Sequence, residues 1–456
     1  MGEKIKLFWQ KALYPYTYII AFISFKSAQY LPAFSFLYAL LFFITASFCC
    51  YIINLILPSF STNRYTTVIT LLVAVSVLHV AGVAHLVGYS YTDIPLYFYI
   101  CFYAGIVLIV IPWLYMSMNK IGLFAPIINR LLNTFFIICA FVFVMVGYYR
   151  QHKEVSRFMP ISIMKKPGQV KPDIVWILLD EYGSSAVLHT SFSFVNPLDS
   201  ALSQEGFYIM NRMKSRFDNT LFSVNAIFTN DDSVRPASFY AGVRSLQQSE
   251  WVPVMDTFGY QFVNLGLFDI GGHSKFSNRS GYPQIYTDQL LSGTLIDMVI
   301  QNVKYTIGKC DAFNQHLLNK LKDTLAYQSS RPRFIWAHLS IPHEPFCRDR
   351  AGHMLHDKAH NGYDSVFIKR RYIDYLEYGN NIIRDLIRSS PGLGKKIIII
   401  TGDHGPRYAF LKDSSCRNWP FAAIRVPGNF DTNRLNNLQY ISQLPAFIMK
   451  YLNAGM

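Results

Sequence analysis

Asp173-Ile174-Val175-Trp176-Ile177-Leu178-Leu179-Asp180-Glu181 is the stretch that decides the fold of the second half of this chain. Six apolar residues in a row, bounded by charge, read as a strand covered on both faces, which is the pattern of a buried parallel strand. Two more runs of this kind follow, Arg333–Leu339 and Lys396–Thr401, and between them Ser365–Ser389 carries apolar residues at helical spacing. Strands alternating with helices predict an α/β layer fold with a mostly parallel sheet.

Ligands of such sheets gather at the carboxyl ends of the strands. The first run ends in Asp180-Glu181 and the third in Thr401-Gly402-Asp403-His404-Gly405. The second ends near His338 and leads into Pro342-His343-Glu344-Pro345-Phe346. Carboxylates and imidazoles are ligands for a divalent metal ion: Zn²⁺ or Mn²⁺ first, with Mg²⁺ or Ca²⁺ as further options. A single Asp-His pair says little, whereas three such sites at three predicted strand ends say more. His338, His353, His356 and His360 form a looser group with no regular ligand spacing.

Outward from this region, the first 150 residues are a different material. The whole chain of 456 residues is 51% hydrophobic and 15% charged, below the roughly 25% charge of soluble domains. Residues 1–150 hold two acidic side chains, Glu3 and Asp93, against eight Lys or Arg, and the remainder holds 26 against 34. Apolar stretches run from Ala33 to Leu57, Thr66 to Val87, Ile94 to Met116 and Leu132 to Tyr149, each near the ~20 residues of a membrane-spanning helix. A weaker one, Tyr14 to Tyr30, contains Lys26, which can snorkel to the interface. With five crossings Lys4, Lys6, Lys11, Arg64, Lys120 and Arg130 share one side, and the loop Gly88–Asp93 on the other has no Lys or Arg. That asymmetry predicts a cytoplasmic N-terminus and an extracytoplasmic domain after Tyr149. Four crossings would reverse it.

The net charge of +14 suits anionic lipid head groups or a phosphorylated glycan. No nucleic-acid partner is expected, since neither basic-aromatic interleaving nor finger-type Cys/His spacing occurs. Cys49, Cys50, Cys101 and Cys139 lie in apolar runs, leaving Cys310, Cys347 and Cys416, from which one disulfide can form without the sequence choosing the pair.

An apolar strand ending in an acidic residue, a His-x-Pro-Phe segment and a strand ending in Asp-His-Gly together resemble the sulfatase-like branch of the alkaline phosphatase superfamily. Its membrane-anchored members, lipoteichoic acid synthase and the phosphoethanolamine transferases, carry five transmembrane helices before an extracytoplasmic catalytic domain. The resemblance implies residues 1–150 as a transmembrane domain, 151–172 as a linker and 173–456 as the catalytic domain. It implies Asp180, Asp403 and His404 as metal ligands, with Glu181 as a second acidic candidate, and His343 as a substrate contact. The family's nucleophile is a Thr at a helix N-terminus, best matched by Thr220 in Arg216-Phe217-Asp218-Asn219-Thr220-Leu221-Phe222-Ser223; Ser184, Ser185 and Thr229 are rivals. Asn219 and Arg407 are placed to donate to phosphoryl oxygens. No C-x-P-x-R signature of a formylglycine sulfatase is present.

The expected activity is transfer of a lipid-derived head group, phosphoglycerol or phosphoethanolamine, from a membrane lipid to an envelope glycan or lipid. A hydrolase of phosphate or sulfate esters and a non-catalytic lipid-binding scaffold are the alternatives. Asn230–Gly293 matches no readable pattern and is a candidate seat of specificity.

Overall fold

The computed structural model describes residues 13–29, 36–56, 66–78, 125–153, 171–229, 239–276, 311–355 and 364–454, with parts of 290–299 and apart from scattered single positions. The chain forms two compact units, Met1–Lys153 with Pro283–Val303, and Glu154–Tyr282 with Lys304–Met456.

The first unit contains helices α1 (Tyr14–Gln29), α2 (Phe36–Ile56), α3 (Thr66–Leu78) and α4 (Ala125–Lys153). Two 21-residue windows, Phe36–Ile56 and Asn129–Tyr149, are long and apolar enough to cross a membrane, and only 11% and 17% of them is buried. Apolar side chains turned outward distinguish them from the core helix of a soluble protein. The weakest of the apolar stretches, α1, is the one whose side chains are buried: Tyr14, Tyr18, Ile19 and Phe22 are all within 8% exposure. Its rings meet those of α2 and α4, Phe22 against Phe42, Tyr18 against Phe136 and Phe25 against Phe143. An interior helix answers to its neighbours rather than to lipid, so it needs less hydropathy. The expected stretch Thr66–Val87 is helical as far as Leu78, and Ile94–Met116 lies outside the described residues.

The second unit is an α/β domain. In chain order it runs β1 (Ile174–Leu179), α5 (Ser185–Phe192), α6 (Pro197–Gln204), β2 (Tyr208–Ile209), α7 (Thr220–Thr229), α8 (Phe239–Gln247), α9 (Trp251–Thr257), β3 (Gln261–Leu265), α10 (Ala312–Ala326), β4 (Arg333–Leu339), α11 (Ser365–Ser389), β5 (Ile397–Gly402), β6 (Ala422–Arg425) and α12 (Leu444–Ala454). One six-stranded sheet has the order β2-β6-β5-β1-β4-β3. It is mixed: β5, β1, β4 and β3 are mutually parallel, while β6 runs antiparallel to both β5 and β2. Strand β3 arises inside the stretch whose sequence showed no pattern.

Side chains alternate across the central strands as the period of two requires. Val175, Ile177, Leu179, Ile335, Ala337, Ile398 and Ile400 join one core with Leu317, Tyr372 and Tyr375. The other face carries Trp176 and Trp336, edge to face at 5.5 Å, and the Trp176 indole donates to Thr401 Oγ1 at 2.9 Å. Phe228 of α7 packs on Trp336 at 4.9 Å and also meets Phe262 and Phe334. This aromatic socket fixes the far end of α7, whose first residue is Thr220.

Candidate metal centre and nucleophile

Strands β1, β4 and β5 are in register, Leu178 lying between His338 and Thr401, so their carboxyl ends deliver Asp180, His338 and Asp403 to one level. Asp180, Asp403 and His404 form a fully buried trio in which one ligand atom from each lies within 4.8 Å of the others. His404 Nδ1 sits 2.8 Å from the Gly405 carbonyl. That pairing turns Nε2 inward, 3.3 Å from Asp403 Oδ2 and 4.0 Å from Asp180 Oδ1. Fixing one ring nitrogen on a carbonyl so that the other faces a metal is how ligand histidines are oriented.

Asp403 Oδ1 accepts from the Glu181 and His404 amides at 2.9 and 2.8 Å, yet Oδ2, with the residue 0% exposed, has no hydrogen-bond partner among the described residues. A buried carboxylate oxygen without a hydrogen-bond donor is unfavourable, and a divalent cation would supply what is missing. Two carboxylates and one imidazole fit that cation by donor chemistry. Burial alone would raise the Asp180 carboxyl, but the facing His343, His338 and His404 outweigh it and hold it well below the usual carboxylate range.

Thr220 joins this cluster. Its Oγ1 donates to Asp180 Oδ1 at 3.3 Å and lies 3.5 Å from His404 Nε2. Asn219 takes the capping role: its Oδ1 accepts from the Phe222 amide and its carbonyl from that of Ser223. Thr220 is therefore spared from capping its own helix, and its hydroxyl is free to face the site. Of the rival hydroxyls, Ser184 caps α5 through the Val187 amide and Thr229 bonds back to the Asn225 carbonyl, while Ser185 Oγ has no hydrogen-bond partner among the described residues.

Glu181 does not enter the trio. Its Oε1 accepts from the Arg407 amide at 2.8 Å and its Oε2 is 3.8 Å from His343 Nε2. Its backbone is left-handed, φ +63°, which costs a non-glycine residue about 1 kcal/mol or more. Three bonds impose it: the Glu181 amide on Asp403, the Tyr372 hydroxyl on the Glu181 carbonyl at 2.9 Å, and the Gly183 amide on that same hydroxyl at 3.2 Å. Burial pushes the Tyr372 hydroxyl well above the ordinary phenol value, so it stays a neutral donor.

Arg407 reaches over the site, donating to the Asp218 carbonyl at 3.0 Å and lying 3.3 Å from His343 Nε2. Burial works against a charge on His343, but Asp180, Glu181 and the Glu344 carbonyl outweigh it and raise its pKa to about 9. The glycines flanking Asp403-His404 follow from packing, since a Cβ at Gly402 would strike the Tyr182 carbonyl and one at Gly405 the Cys416 carbonyl.

All eight residues singled out from the sequence thus lie in or beside one cluster, with Asn219 as a helix cap and Glu181 outside the ligand trio. His338 and Tyr372 are the residues the sequence reading left unused. His338 is part of the cluster, 3.6 Å from Asp180 Oδ2, and its place at the end of an apolar run was the available signal. His353 stands apart on the surface beside Asp349; His356 and His360 lie outside the described residues. Nothing in the local sequence marks Tyr372, which contacts the site across 191 residues.

No protein-family model and no curated protein matches this sequence. Among solved structures, the integral membrane lipooligosaccharide phosphoethanolamine transferase A of Neisseria meningitidis is 13% identical, with 94% of each chain covered and a TM-score of 0.42. The C-terminal periplasmic domain of phosphoethanolamine transferase EptC from Campylobacter jejuni is 14% identical over 62% of this chain and 90% of its own, at 0.39. A protein of the alkaline phosphatase superfamily from Vibrio parahaemolyticus is 15% identical over 61% and 67%, at 0.35. At these scores the likeness is loose, and it is the buried cluster that carries the function proposed below.

Proposed function

We propose that this chain is a membrane-embedded, metal-dependent phosphoryl-group transferase that uses Thr220 as its nucleophile. The observation that carries the reading is convergence. Residues 180, 220, 403 and 404 meet at one buried point, and the only hydroxyl among them is directed at the candidate ligands.

Asp180, Asp403 and His404 would hold the divalent ion, which lowers the pKa of a neighbouring hydroxyl and neutralises charge on phosphoryl oxygens. Thr220 Oγ1, as the alkoxide left when its proton passes to bulk water, attacks the phosphorus of a lipid phosphodiester, placed at the positive end of α7 where anions are favoured. The phosphorus–oxygen bond to the glycerol breaks as the bond to Thr220 forms. His343, in its protonated form, gives the proton from Nε2 to the departing diacylglycerol oxygen. Arg407 donates to a non-bridging phosphoryl oxygen. In the second half the acceptor hydroxyl attacks the phosphothreonine, its proton passes to His343 Nε2, and Thr220 is released.

A lipid donor explains why such a site belongs to a chain with membrane spans. The proposed topology has five crossings, residues 1–150, and an extracytoplasmic catalytic domain from 173 onward. The donor is a phosphoglycerol or phosphoethanolamine lipid and the acceptor an envelope glycan or lipid. The test is release of diacylglycerol from head-group-labelled phosphatidylglycerol and phosphatidylethanolamine by the full-length protein, with and without Mn²⁺. Metal-dependent release that disappears in Thr220→Ala supports the reading and names the donor. Release that persists in the variant removes Thr220, and label found only in free head group makes water the acceptor.

A further inference from the structure

His338 is the one imidazole of the cluster that the reaction above does not use, and its surroundings are unusual. It is completely buried, at the end of a strand in which Phe334 and Trp336 share its face. An apolar side chain would fit there without desolvating two ring nitrogens. Buried polar groups are nearly always hydrogen-bonded, yet among the described residues neither Nδ1 nor Nε2 of His338 has a hydrogen-bond partner. What Nε2 does face is Asp180 Oδ2, at 3.6 Å. Shortening that gap by about 0.7 Å gives an N–H···O bond of ordinary length.

Asp180 is thereby addressed on both oxygens. Oδ1 faces Thr220 and His404, and Oδ2 faces His338. The other two histidines each anchor one ring nitrogen on a backbone carbonyl, Gly405 for His404 and Glu344 for His343. Among the described residues His338 has no such anchor, and its ion-pair contact is with Asp180.

We propose that His338 is a positioning residue. It donates from Nε2 to Asp180 Oδ2 and so fixes the carboxylate plane with Oδ1 turned toward Thr220 and the metal. The inference rests on the assignment of Asp180, Asp403 and His404 as a ligand set. Outer partners of this kind commonly carry 10- to 100-fold of metal affinity.

The test titrates Zn²⁺ into metal-stripped, detergent-solubilised full-length protein against a competing chelator. His338→Leu keeps an apolar side chain of similar bulk and removes the donor. His338→Gln returns an N–H donor near the position of Nε2. Metal-free thermal midpoints check that both variants are folded. The expected result is Zn²⁺ binding weakened about 10- to 100-fold in His338→Leu and restored to within about threefold of wild type in His338→Gln. Wild-type affinity in His338→Leu overturns the proposal, as does equal weakening in both variants, which would make the imidazole ring a filler. An Asp403→Asn control separates the premises: if it too binds Zn²⁺ like the wild type, the ligand trio itself is wrong and the proposal falls with it.

Discussion

The two ends of strands β1, β4 and β5 are built from similar residues and behave as opposites. At the amino ends Asp173 accepts from the Arg333 amide at 2.8 Å, the Arg333 guanidinium at 2.7 Å and the Lys396 ammonium at 2.8 Å. One carboxylate there has two cations and a backbone donor. At the carboxyl ends Asp180 and Asp403 share a dry site with histidines, one carboxylate oxygen lacks a partner, and a glutamate is held in a left-handed turn. At one end a carboxylate is bonded on both oxygens, whereas at the other a carboxylate oxygen has no hydrogen-bond donor. How completely the carboxylate is bonded, more than the presence of charge, is what separates the two ends.

The contrast is broken most directly through Thr220. Thr220→Ala should lower transfer by at least about 10³-fold, as loss of a covalent nucleophile does. Its thermal midpoint should stay within a degree or two, because Asn219 still caps α7. Comparable turnover in the variant would end the nucleophile assignment.

Asp403→Asn should weaken Zn²⁺ or Mn²⁺ binding by at least about 100-fold without destabilising the metal-free protein, since it removes a buried charge that lacks full pairing. Isothermal titration and a melting curve measure the two halves of that statement. At the other end the pattern inverts. Asp173→Ala strands the buried Arg333, and about 3 kcal/mol of stability should be lost, read by chemical denaturation, while turnover per folded molecule stays within about twofold.

The smallest effect is a pair of opposite pH windows. Burial alone would raise Asp173, but Arg333 and Lys396 bring its pKa below the ordinary value. Its stabilisation is then complete above about pH 4 and is lost as pH falls through the lower folded value. His343 is raised to about 9, so its contribution in metal-free protein is complete below about 6.5 and fades as pH climbs toward 9. Melting temperatures against pH should show the acid limb flattened by Asp173→Asn and the alkaline limb flattened by His343→Gln. Crossed effects would mean that the two ends are not separable.

Much of this arrangement is legible in the sequence because long apolar strands announce themselves. Strands β1, β4 and β5 and helix α11 coincide with their patterns within a residue, and the acidic and His residues at their ends follow from the parallel-sheet rule. Strands β2, β3 and β6 escape notice for physical reasons. They are two, five and four residues long, and β3, at the sheet edge, interleaves Gln261 and Asn264 with its apolar residues. The Tyr372 clamp is invisible for another reason: it depends on which helix face lies over which strand end. Membrane spans are legible as composition, yet α1 shows that the least apolar stretch can be the one packed inside.

The aromatic socket under α7 has a mechanical consequence. A helix advances about 1.5 Å per residue, so Phe228, seated among Phe262, Phe334 and Trp336, lies roughly 12 Å along the axis from Thr220. The helix is a strut with Thr220 at its tip and Phe228, at its foot, set among three further aromatic side chains. A change of volume at the foot becomes a swing at the tip, and a swing of 1 Å misplaces an attacking oxygen enough to cost on the order of 100-fold in rate. Residues outside the buried cluster thus set the aim of Thr220, the proposed nucleophile.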